Sequence, residues 1–142
     1  MLKIIIAAWC LVATTVIIHA AGLALALGPV WRSTVQVRGG FWPLTWLVIR
    51  VAWWLIVIHL VEIVVWALFF WWQKCMPDAE SSFYFAGVTY TTLGYGDLVL
   101  PKEWRLLSPI EGLTGILMCG LSTGFFFAVV SRFLESRTNK PN

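Results

Sequence analysis

The sequence predicts an all-α membrane protein with a first hydrophobic helix, a long second helix, a short helix that enters the bilayer and returns, and a last spanning helix. Three observations predict it. The 142 residues are 60% hydrophobic and only 12% charged. Three apolar runs are each long enough for a hydrocarbon core of about 30 Å. A polar, glycine-punctuated stretch, TTLGYGD (Thr91–Asp97), stands between the second and third runs. Ten bases and seven acids are too few charges to cover a soluble domain of this size. The bases form no patch of the kind that nucleic-acid binding needs. Cys10, Cys75 and Cys119 are too few and too far apart for a disulfide framework or a zinc site. Cys10 and Cys119 read as packing residues, and Cys75, in a polar loop, keeps an intersubunit disulfide open.

Residues 1–28 hold the first run, Ile4 to about Leu27, expected as a transmembrane or membrane-embedded helix. Lys3 and the small residues Ala24–Ala26 leave a second reading open, a secretory signal peptide. Residues 29–43 read as a cytoplasmic connection. The second run, 44–72, would make about 43 Å of helix, longer than a bilayer core, so its ends should project or the helix should tilt. Trp42 and Trp46 mark one end and Trp71 and Trp72 the other, as interfacial aromatic belts do.

A shorter apolar piece, SSFYFAGVTYT, then gives a helix over 79–91, with Asp78 or Ser81 as its N-cap. At roughly half a bilayer in length it must turn back, and TTLGYGD, residues 92–97 after its first threonine, is the returning segment. The third run, 108–134, carries Gly112, Gly115, Gly120 and Gly124, the last two at the GxxxG spacing that permits close helix approach. Residues 135–142 are left as a tail. Arg32 and Arg38 in the connection and Arg132, Arg137 and Lys140 at the end place both regions in the cytoplasm by the positive-inside rule, with 73–108 outside. Cleavage of the first run would invert that orientation.

Irregular backbone at membrane depth is tolerated only when buried in protein or lining a watery path. Replacing the water shell of a cation requires fixed oxygens, and glycines allow the dihedrals that aim successive carbonyls one way. Thr92, Leu93, Gly94, Tyr95 and Gly96, preceded by Thr91 and followed by Asp97, resemble the selectivity filter of potassium channels, built from TVGYG-type loops. The stretch from Leu44 to Leu134 resembles the pore domain of the short prokaryotic potassium channels with one pore loop per chain. The resemblance implies a homotetramer in the plasma membrane, conducting K+ with no cofactor. It implies K+ sites from the carbonyls of Thr92, Leu93, Gly94 and Tyr95 with the Thr92 hydroxyl. Tyr95 would brace the filter against Tyr84 or Phe85, Asp97 would stand at the outer mouth, and Trp104 would help anchor it. Two departures stand out. Leu93 replaces the usual Val or Ile, and Val88 stands where some relatives place a glutamate, so Asp97 needs another partner.

The remaining candidates are read from the residues. His59 and Glu62, at i and i+3, form a buried polar pair, either a satisfied structural contact or a pH-sensitive one beside the filter. His19 reads as a packing or interface residue. Glu111 closes a capping box with Ser108 or stands behind the filter as its support. Gly115 and Gly120 are the gating-hinge candidates. No nucleophile–base pair and no metal-ligand cluster is legible, so no enzyme is expected. Two alternatives remain, a weakly selective cation channel and a non-conducting membrane subunit or scaffold.

Overall fold

The computed structural model describes residues 1–36 and 41–138. Arg38 and Lys140, which carry part of the orientation reading, lie outside the described residues. The described residues form four helices, α1 (Leu2–Gln36), α2 (Phe41–Trp72), α3 (Ala79–Tyr90) and α4 (Leu107–Thr138), and no strand. α1, α2 and α4 each contain a stretch long and apolar enough to cross a membrane. The first helix continues through Gly28 and Pro29 to Gln36, so it takes up half of the expected connection. The tryptophans at the two ends of α2 are exposed.

α3 packs against α2 and α4, and α1 packs against the same two helices. Two apolar clusters hold the arrangement. One gathers Trp66, Phe70, Phe85, Tyr90, Leu107 and Met118 around α3. The other gathers Leu47, Val51, Ile58, Val129 and Phe133 toward the opposite end. Lipid tails are as apolar as these side chains, so helix association in a bilayer rests on close packing and hydrogen bonds rather than on exclusion of water. The α1–α2 face shows both. Trp66 Nε1 donates to Thr15 Oγ1 at 3.1 Å, His19 meets Glu62, and Trp54 Nε1 donates to the Gly22 carbonyl at 2.8 Å. Residues 15, 19 and 22 share one face of α1, and their partners run backwards along α2. Cleavage at Ala24–Ala26 would remove all three ties.

The close approaches of α4 are made at Gly112 and Gly115. A methyl at Gly115 would lie 2.0 Å from the Tyr90 carbonyl oxygen, and one at Gly112 would lie 3.5 Å from that of Thr89. Around Gly120 and Gly124 nothing stands within 4 Å, so within one chain the GxxxG pair is not the contact point. The missing side chain at Gly115 serves packing against the end of α3.

Candidate functional site

α3 starts at an Asp78 N-cap, whose Oδ1 accepts from the Ser81 backbone N–H at 2.7 Å. Its other end sets the geometry of the glycine segment. The Thr92 N–H donates to the Thr89 carbonyl at 3.0 Å, and the Leu93 N–H reaches back to the Val88 carbonyl at 2.9 Å. This pair of bonds is a Schellman motif, which requires a left-handed residue after the cap and normally uses glycine there. Here the residue is Thr92, with φ +64°. A β-branched residue in that region is strained, and such strain concentrates at functional sites.

The left-handed conformation then recurs at every second position. Gly94 has φ +56° and Gly96 φ +77°, whereas Leu93 and Tyr95 between them keep negative φ. Alternation of this kind sets successive N–H groups on one side of a chain, which leaves the carbonyls for the other. The Gly94 N–H also donates to the Val88 carbonyl, at 3.2 Å, so one carbonyl of α3 secures the start of the segment. Thr91 through Asp97 are all exposed in the single chain.

Behind the segment the side chains divide the work differently from the expectation. The Tyr84 hydroxyl donates to Asp97 Oδ2 at 2.7 Å, which supplies the partner that Val88 cannot. Phe85 stands edge-on to Phe70 of α2, with centroids 5.4 Å apart. Trp104 stands edge-on to Phe69 at 5.5 Å, anchoring the 101–106 turn to α2. Glu111 is fully buried, and neither carboxyl oxygen has a hydrogen-bond partner among the described residues. The capping-box reading therefore fails. α4 already begins at Leu107, and Glu111 does not return to the Ser108 N–H. It lies one residue before Gly112, whose added Cβ would stand 3.9 Å from Thr92 Cγ2.

A second polar assembly was only half visible in the sequence. His59 Nδ1 lies 3.3 Å from Glu62 Oε2 and 3.0 Å from the Tyr90 hydroxyl, while Tyr90 donates to Glu62 Oε2. His19 Nδ1 lies 2.9 Å from Glu62 Oε1. Ser122 Oγ of α4 stands 2.9 Å from His59 Nε2 and 3.5 Å from His19 Nε2. The five residues join all four helices between the two apolar clusters. No metal-ligand cluster is legible in the sequence, whereas packing brings donor atoms of His19, His59 and Glu62 within 4.8 Å of one another. Sequence spacing exposes only the 59/62 pair. His19 and Ser122 arrive through tertiary packing, and the one sign of His19 was an imidazole in the middle of an apolar run.

A family model described as an ion channel matches residues 54–132, more than half of the 142-residue chain. The match begins within α2 and ends within α4, leaving α1 outside. No curated protein and no solved structure matches the chain.

Proposed function

The chain belongs to the ion channel family, and from that premise we propose that it conducts K+ selectively as a homotetramer, with TTLGYGD as the filter. The observation that carries the reading is the alternation of left-handed backbone at Thr92, Gly94 and Gly96, held to α3 through the Val88 carbonyl. One chain supplies one such segment, and a ring of oxygens around an ion needs four. The exposure of Thr91–Asp97 in the single chain fits a surface that copies of the same chain enclose. Closed cyclic symmetry completes the ring.

The mechanism is exchange of water for protein oxygen. A K+ ion sheds its shell as the carbonyls of Thr92, Leu93, Gly94 and Tyr95 replace it, with the Thr92 hydroxyl at the inner end. α3 then acts as a re-entrant pore helix. Its C-terminus at Thr91 directs the negative end of the helix dipole toward the cavity, which favours a cation there. Leu93 contributes through its carbonyl, so a γ-branched side chain leaves the oxygen in place. Tyr84 holds Asp97 at the outer mouth, and Glu111 supports the filter from behind. The setting is the plasma membrane, with 73–108 outside.

Purified protein in planar bilayers, bathed in K+ on one side and Na+ on the other, tests this. The reversal potential should approach that of K+. A reversal potential near zero would favour a weakly selective cation pore, and absence of current in assembled protein would favour a scaffold.

A further inference from the structure

We propose that His19, His59 and Glu62 form a binding site for a divalent transition ion of the zinc type, inside the helix bundle and apart from the permeation path. Two imidazoles and a carboxylate are a known donor set for zinc. Their nitrogens set the site apart from one for K+ or Mg2+, which take oxygen alone. Glu62 Oε1 lies 2.9 Å from His19 Nδ1, and Glu62 Oε2 lies 3.3 Å from His59 Nδ1. Around a tetrahedral ion with ligand bonds of about 2.0–2.1 Å, neighbouring donors stand roughly 3.4 Å apart. Small side-chain movements therefore suffice to admit it.

The surroundings orient the donors as an outer shell does in metal sites. Ser122 Oγ faces Nε2 of both imidazoles. One hydroxyl oxygen with two lone pairs can accept from both; with each Nε2 carrying the proton, each Nδ1 lone pair faces the Glu62 carboxylate, an arrangement that a cation between them satisfies. Tyr90 donates to the Glu62 oxygen that faces His59, and its hydroxyl lies 3.0 Å from His59 Nδ1. Both Glu62 and His19 are almost wholly buried, at 0% and 1% exposure. An ionisable group at that depth is expensive unless paired, and a divalent cation offsets the carboxylate charge. Binding would lock α1 onto α2 and fix Tyr90, the last residue of α3 before the glycine segment.

Co2+ alone serves as the probe, because its visible absorption reports low-symmetry nitrogen and oxygen coordination. The test protein combines Cys10→Ser, Cys75→Ser and Cys119→Ser, so that thiols do not compete, and is stripped with chelator before titration. One Co2+ per chain should develop a tetrahedral-type spectrum that Zn2+ abolishes by displacement, and Zn2+ should raise the melting temperature. Ser122→Ala should weaken Co2+ binding about 10- to 100-fold, as loss of an orienting partner does. His19→Gln should lose the spectrum while remaining assembled. A parent that develops no such spectrum, or a spectrum that survives in His19→Gln, His59→Gln and Glu62→Gln alike, would overturn the site and leave a purely hydrogen-bonded cluster. Neither result depends on ion selectivity.

Discussion

The Tyr84 hydroxyl donates a 2.7 Å hydrogen bond to Asp97 Oδ2, tying the exposed face of α3 to the far end of the glycine segment. The bond to Asp97, then partial burial and the Asp97 charge, raise the Tyr84 phenol above its usual range. A raised phenol keeps its proton, so the tie persists at neutral pH and is lost only as pH climbs through the raised value. Near-ultraviolet titration should show a tyrosine step above that of an ordinary phenol, and Tyr84→Phe should remove it. In current records the same variant should close its filter more readily, with assembly unchanged. Wild-type closure kinetics in Tyr84→Phe would remove the residue from outer-mouth support.

The glycines separate by what they serve. At Gly94 and Gly96 an added Cβ meets nothing within 4 Å in the single chain, so substitution acts through the backbone, at about 1–2 kcal/mol for a left-handed residue. Gly94→Ala and Gly96→Ala should abolish K+ flux and still assemble. Gly115→Ala would press a methyl to 2.0 Å from the Tyr90 carbonyl and should lower stability by about 1–3 kcal/mol or more. Size-exclusion profiles and melting curves check the contrast, with Gly120→Ala as the tolerated control.

Thr92 stands where a Schellman motif prefers glycine. Thr92→Gly should therefore raise stability slightly, by up to about 1 kcal/mol, as relief of left-handed strain outweighs the added freedom of the unfolded chain. It should also remove the innermost hydroxyl ligand and weaken K+ over Na+ discrimination. A variant both less stable and fully selective would show that the threonine is retained for packing.

Cys75 is buried at the end of α2, and burial, followed by the Glu103 charge, pushes its thiol up to about 11. Near neutral pH almost none is thiolate, the reactive form. Maleimide should label Cys75 slowly, faster as pH rises. A cysteine placed at exposed Lys102 in a Cys75→Ser background should react at once with an impermeant reagent outside intact cells. Labelling only after the cells are opened would reverse the orientation drawn from Arg32, Arg38, Arg132, Arg137 and Lys140.

How far the sequence reached depends on the range of the interaction. The three long apolar stretches and the short α3 were readable because composition and length alone decide them. Asp78 was readable as an N-cap because its bond to Ser81 spans three residues. Glu111 shows the limit of that reasoning, since Ser108 and Pro109 offer a plausible local cap that the helix start at Leu107 overrides. The partner of Asp97 was thirteen residues away, at a spacing no periodicity marks. His19 and Glu62 are separated by 43 residues, and only the antiparallel docking of α1 on α2 aligns them. Gly115 outranks the GxxxG pair because the end of α3 faces it, a matter of tertiary placement.

The ladder of Thr15 with Trp66, His19 with Glu62, and Gly22 with Trp54 bears on biogenesis. Glu62 entering the bilayer alone would carry a carboxylate into hydrocarbon at a cost of several kcal/mol. α1 precedes α2 in the chain and sets the His19 imidazole against Glu62. Insertion as a helical hairpin spares each helix its unpaired polar group. The segment outside the matched channel domain thereby supplies the partners of Trp54, Glu62 and Trp66 in the helix where that match begins.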